Sequence, residues 1–268
     1  MKWFERADWK SNISCKAKVN IKRYLIYFSN YMSLAKIHTL INHREQGEIP
    51  RMHQHEVNPW ADLGSRENYL YFTLPVSLNF QRSSPAMRQS ALATWHDSKT
   101  NYLFYPEQVV QRSFEQLQSD LTKHKLALQR NKHVQIRQRL CQTLSEQRDN
   151  DPRSLIHAHS SDVLQIRDHL ISHKKDYPYL NGPKMCDYWM FIMSHYTDID
   201  LINKHMLSII PDTHIQQASI VLWITTEKDG PEQVKEKRFG VLAGSGIAPV
   251  DLHSMLWNWS RNNFMPEV

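Results

Sequence analysis

The sequence predicts an all-α protein. Three observations lead there. Only 7 of 268 residues are glycine, Leu, Gln, Lys and Arg are abundant, and apolar residues recur at helical intervals along the chain. This length suits one large domain or two small helical lobes around a cleft, and it is ample for a sizeable core. A hydrophobic content of 41% with 22% charge is ordinary for a globular chain.

The elements follow in order. Val19, Tyr24, Phe28, Met32, Ile37 and Ile41 mark a helix within residues 19–43, with basic residues between them. Gly47, Pro50 and Pro59 lie in a polar loop. Glu67 to Phe80 is dense in apolar residues and long enough for a buried helix, which Pro75 should bend or break. Residues 107–147 carry Val109, Phe114, Leu117, Leu121, Val134, Leu140 and Leu144 at helical spacing, enough for two or three amphipathic helices. Asp149 to Ser154 reads as a turn. Ser161 or Asp162 can cap a helix through Leu170. Asp176 to Pro183 breaks that helix, and an apolar helix resumes over Lys184 to His195. Ile215 to Thr225 is apolar again, Gly230-Pro231 is a turn, and Asp251 to Asn262 looks like a last helix.

Charge and cysteine usage narrow the partners. The net charge of +6 and pI of about 9.1 give a basic surface that suits a polyanion. Cys15, Cys141 and Cys186 are odd in number and scattered, which argues against a disulfide framework and for a reducing, intracellular compartment. Three cysteines cannot supply the four thiolates of an ordinary iron–sulfur cluster, so no such cofactor is expected. The first residues hold no apolar signal-peptide region, and no run of 18 apolar residues exists to cross a membrane. A cytoplasmic monomer is the expectation.

The chemistry concentrates in Tyr179-Leu-Asn-Gly-Pro-Lys-Met-Cys-Asp187, a tight hairpin between two helices. The unpaired N–H groups at the second helix's start can receive a phosphate oxygen, and Gly182 lets the phosphodiester approach closely. An ordinary helix–turn–helix corner would show the same pattern. Asp212, in Pro211-Asp-Thr-His-Ile215, follows Lys184 by 28 positions, which is enough chain to return an acid to the hairpin.

These two segments together resemble the helix–hairpin–helix DNA glycosylase superfamily. Lys184-Met-Cys-Asp187 is similar to the Lys-x-Ala-Asp of its bifunctional branch, which includes the 8-oxoguanine glycosylases, and Asp212 matches the family's aspartate. Leu78-Asn-Phe-Gln-Arg-Ser-Ser84 resembles the family segment that faces the DNA strands, with Gln81 probing the gap left by the displaced base. Leu180 departs from the pattern, standing where many members have the hairpin's first glycine. The likeness covers roughly residues 67–225, as a glycosylase core. Residues 1–66 would be an N-terminal helical extension and 226–268 a C-terminal helical segment packing on the core.

The resemblance implies a two-lobed architecture with its active site in the cleft between lobes. It also implies base excision repair: excision of a damaged base, such as an oxidised purine, from double-stranded DNA after the nucleotide is flipped out. Deprotonated Lys184 would attack the sugar's anomeric carbon and leave a Schiff base that permits β-elimination. Desolvation and the helix dipole would lower the lysine's pKa, while Asp212 would stabilise charge on the sugar. Gln81, Arg82, Asn181, Gly182, Pro183 and His214 become candidate DNA contacts. Tyr188, Asp251 and Trp257 become candidates for the base pocket. Pro249-Val-Asp-Leu-His253 resembles the same aspartate motif, but it lies 67 positions after Lys184, which is long for this unit. Asp251 is therefore expected to cap the final helix.

Two rivals remain at this point. One is an N-glycoside hydrolase acting on a modified nucleoside or nucleotide. The other is a non-catalytic nucleic-acid-binding module. No metal is expected, because His53-x-His55 and His157-x-His159 lack partners at recognised spacing.

Overall fold

The structure, a computed structural model, describes residues 15–49, 59, 62–207, 209 and 211–268. Twelve α-helices run through the described residues, and the sole strand-like feature among them is an isolated bridge between Asp162 and Ile202. The all-α expectation holds. None of the described helices is long and apolar enough to cross a membrane.

The chain divides into two compact units, Met1–Pro50 with Ile210–Val268, and Arg51–Ile209. Residues 210–225 group with the two chain ends, so Lys184 and Asp212 belong to different units.

The middle unit contains α2 (Arg66–Val76), α3 (Ser84–His96), α4 (Pro106–Val109), α5 (Phe114–Lys123), α6 (Arg130–Gln147), α7 (Pro152–His157), α8 (Val163–Ser172) and α9 (Pro183–Tyr196). Side-chain caps start several of them. Ser65 accepts from the Asn68 N–H, Ser113 from Gln116, Asp151 from Arg153, and Asp162 from Leu164 and Gln165. The expected break at Pro75 is the end of α2, one residue later.

From Asn68 to Val76 every residue of α2 is buried, so α2 is the unit's central helix. It packs on α9, whose Trp189 is fully buried. The Trp189 indole N–H donates to Thr73 Oγ1 at 3.1 Å, and the Asn68 carboxamide donates to the Tyr196 carbonyl at 2.7 Å. Two buried donors are thereby matched across the two helices, while Asn68 Oδ1 has no protein partner.

The terminal unit is built from α1 (Cys15–Glu45), α10 (Thr213–Val221), α11 (Pro231–Leu242) and α12 (His253–Arg261). Ile37 and Leu40 of α1 share one apolar core with Ile215 and Ala218 of α10, Leu222 just after it, Val241 and Leu242 of α11, and Met255, Leu256 and Trp259 of α12. The Trp259 indole donates to the Pro266 carbonyl at 2.8 Å, which folds the last residues back onto α12.

Two tests follow from this packing. Thr73→Val removes the acceptor of a buried indole N–H, so urea unfolding should show a loss of about 1–3 kcal/mol. The second concerns pH. Burial is the main cause that lowers the His133 and His169 pKa values from 6.5 to about 4. His133 Nδ1 also accepts from the Leu128 N–H, which requires the unprotonated nitrogen. The unfolded chain therefore binds more protons than the folded chain between pH 6.5 and about 4. Stability should be full above pH 6.5 and fall as the pH drops through that window. His133→Gln with His169→Gln should flatten the fall in urea midpoint between pH 7 and 5, and an unchanged slope would refute this account.

Candidate functional site

The hairpin forms where the sequence places it. After α8, Asn181 turns its carboxamide inward and donates to the carbonyls of Lys174 and Tyr177 at 2.9 and 2.8 Å. Tyr179 takes a left-handed backbone, φ 71°, uncommon for a residue with a bulky side chain. Gly182 is the N-cap of α9 and Pro183 its first residue.

Gly182 is not required by the fold. Its φ is −70°, open to any residue, and a Cβ there would meet only the Tyr179 carbonyl, at an ordinary 3.7 Å. Glycine at this position adds no side chain over the helix N-terminus.

Lys184 is exposed in the first turn of α9. Cys186 and Asp187 after it point inward. Burial pushes the Cys186 thiol up to about 12, which makes it inert, and Asp187 receives the Arg167 Nε–H at 2.9 Å. Asp187 thus fixes α9 against α8.

The loop from α2 to α3 lies against this hairpin. The Tyr179 hydroxyl donates to the Asn79 carbonyl at 2.6 Å, and the Tyr179 and Phe80 rings meet edge-on at 6.3 Å. One turn beyond Lys184, the Tyr188 hydroxyl bonds to Ser84 Oγ, at the start of α3, at 3.0 Å. Gln81 is exposed between these two ties, with a left-handed φ of 51°. Tyr188 also lines a small cavity of about 30 Å³ with Tyr71, Asn79, Ser84, Arg88 and Ile192.

Two of the expected DNA contacts also bond internally. Arg82 gives its guanidinium to the carbonyls of Lys125 and Leu126 and to Met87 Sδ, and so straps the loop after α5. The Asn181 side chain is likewise spent on its own hairpin. Both shape the loops from inside, because buried carbonyls need donors.

The other candidates belong to the terminal unit. Asp212 is the N-cap of α10, and its Oδ1 accepts from the Ile215 N–H at 3.0 Å. The carboxylate remains exposed. His214 Nδ1 lies 3.2 Å from Ser260 Oγ, and its ring meets Trp257 edge-on at 5.5 Å. Trp257 in turn lies under the Arg261 guanidinium, 4.8 Å from the ring centre.

Asp251 does not cap the last helix. Leu252 stands at the N-cap of α12 and offers no side-chain bond, so the expected role is overturned. The Asp251 carbonyl accepts from Arg44, a weak contact at 3.5 Å.

Among the described residues, no group of three or more His, Cys, Asp or Glu is placed to hold a metal ion. His159, His169 and His173 stack at 4.2–4.3 Å without forming one. His53 and His55 lie outside the described residues. No protein family matches the chain, nor does any characterised protein or solved structure.

Sequence reasoning misses the tie between hairpin and loop, which rests on Tyr179, Asn79 and Ser84. The available signal is the run Tyr177-Pro-Tyr179: two amphipathic rings beside a proline need partners for both hydroxyls. Tyr179→Phe should cost about 1 kcal/mol in urea unfolding and increase hydrogen exchange at residues 79–83. Unchanged exchange there would mean that the loop is held by other contacts.

Proposed function

We propose that the protein is a DNA glycosylase of the helix–hairpin–helix kind, with an associated lyase activity through Lys184. One observation carries the reading. The two sequence segments that resemble DNA-facing parts of that family are joined by hydrogen bonds in one unit, Tyr179 to Asn79 and Tyr188 to Ser84. Nothing in their sequence separation, about a hundred residues, requires this. The dispensability of a bare Gly182 for the fold adds to it.

In the proposed mechanism a duplex phosphate rests on the N–H groups opening α9, and Gln81 enters the stack as the damaged nucleotide leaves it. Lys184 is exposed, so bound DNA provides its desolvation. The unprotonated amine attacks C1′, the glycosidic bond breaks, and the base departs with the electron pair and takes a proton. Ring opening gives the imine. Loss of a C2′ proton then expels the 3′ phosphate. By the resemblance alone, Asp212 is the aspartate that would stabilise the cationic sugar.

Lys184→Gln should abolish borohydride trapping on lesion-containing duplex while leaving binding within about threefold. Asp212→Asn keeps a good N-cap, so melting should move little, yet base excision should fall about a thousandfold. Asp251→Asn should cost less than about tenfold. If Asp251→Asn is the crippling change, the two aspartate roles are reversed. Trapping that survives in Lys184→Gln would end the Schiff-base assignment. Affinity that ignores salt would point instead to a nucleoside substrate.

A further inference from the structure

We infer that the loop before α6 and the first turn of α6 form a second contact surface for the backbone of double-stranded DNA, beside the Gln81 loop. This rests on the glycosylase reading and adds the place where flanking duplex is held.

Two acid-free stretches of sequence meet here. No Asp or Glu stands between Glu67 and Asp97, or between Asp120 and Glu146. The first stretch holds the Gln81 loop. The second holds Lys123, Lys125, Arg130, Lys132, Arg137 and Arg139. The fold joins them. Arg82 donates to the Leu126 carbonyl at 2.6 Å, and the Lys132 ammonium stands over the Phe80 ring, 5.3 Å from its centre. Phe80 also meets the His133 ring edge-on at 6.3 Å.

Half of these cations serve the fold. Lys123 pairs with Asp97, Arg139 pairs with Asp176, and Arg137 is fully buried. Lys125, Arg130 and Lys132 are exposed, and among the described residues none of them pairs with a carboxylate. Two of them oppose the helix they open. The first turn of α6 holds Arg130 and Lys132 and no acid, where the positive end of the helix dipole disfavours cations. Their field reaches inward as well: the His133 pKa falls to about 4 through burial first, then through Arg82 and Lys132.

The chemistry of the surface selects its occupant. Cations spread over a loop and a helix start suit a polymer that repeats its charge, and duplex DNA presents one negative charge for about every 1.7 Å of axis. A single strand would need open rings for its bases, and here the Phe80 ring is engaged by Lys132, His133 and Tyr179. A membrane would need an apolar face, and among the large apolar side chains of residues 121–145 Leu128 alone is exposed. Backbone contacts of this kind set position along the duplex and read no sequence.

The test is fluorescence anisotropy of the full chain on a labelled, undamaged duplex of about 20 base pairs. Lys125→Gln, Arg130→Gln and Lys132→Gln together should weaken binding at least about tenfold at about 0.1 M salt. Each single change should lower the log–log salt slope by about 0.9, which keeps the test independent of the triple variant's folding. Lys125→Arg, Arg130→Lys and Lys132→Arg together should hold affinity within about threefold, because a phosphate needs the charge. Lys228→Gln, Lys235→Gln and Lys237→Gln remove the same charge from the terminal unit and should cost less than about threefold. Unchanged affinity and slope in the Gln variants of the first set overturn the proposal. So does an equal loss in the terminal-unit variant, a loss in the charge-keeping variant, or a loss confined to single strands or to phosphatidylserine vesicles. The glycosylase reading is judged separately by borohydride trapping. Trapping through Lys184 beside unchanged duplex affinity in the triple Gln variant sinks this surface alone. Absent trapping beside the expected loss of affinity sinks the glycosylase reading alone.

Discussion

The packing of α2 on α9, with the Trp189 indole bonded to Thr73, is the constraint on which the middle unit depends. Both helices are apolar, and both carry polar atoms that water cannot reach. Asn68 donates to the Tyr196 carbonyl and Trp189 to Thr73 across the contact, and this fixes register as well as distance. Register matters because each helix ends or begins at a functional candidate. The C-terminal end of α2 releases the loop with Gln81, and the N-terminal end of α9 presents Gly182 and Lys184. A slide of one helix past the other would separate Tyr179 from Asn79 and Tyr188 from Ser84.

Much of the fold was legible in the sequence, and the omissions share a cause. The helices α1 and α9 have apolar residues at helical spacing and lie within a few residues of their expected bounds, and α6 lies in the stretch expected to hold two or three helices. Helices α3, α7 and α11 were not evident. Each begins with a proline in its first turn, at Pro85, Pro152 and Pro231; Pro152 and Pro231 read as parts of turns, and the stretch around Pro85 gave no clear element. Proline's fixed φ suits a helix's first turn, where its missing N–H costs nothing. A break and a start look alike until the residues that follow are weighed. The division into units was hidden for a different reason. The core joining Ile37 to Leu256 pairs residues more than two hundred positions apart, and no local pattern encodes such a contact.

The candidate site was half legible. Residue types and spacing point to Gly182, Lys184 and Asp212, and the structure gives each a definite local role: N-cap, first turn and N-cap. Direction was not legible. Arg82 and Asn181 are polar residues in loops, and sequence cannot tell whether such a side chain faces solvent or answers a carbonyl inside. Here both answer carbonyls, because tight loops leave acceptors that no ladder satisfies. The exposed polar residue beside them, Gln81, is held at a positive φ, where a glutamine is uncommon.

The terminal unit is assembled from both ends of the chain, and this dictates an order of events during synthesis. When α1 leaves the ribosome its apolar partners on α10 and α12 do not yet exist. The intervening 159 residues, Arg51 to Ile209, must be made first. At about 5–20 residues per second that is on the order of ten to thirty seconds. The middle unit has all its helices in one continuous stretch, so it can fold while α1 waits. Closing a loop of that length costs entropy, but a folded insert whose ends are held removes most of the chain from the search. In the interval Ile37 and Leu40 lack the apolar residues that bury them in the folded core. Slow translation or truncation after Ile209 would prolong that state, so yield should depend on completion of the C-terminal helices more than on the stability of the middle unit.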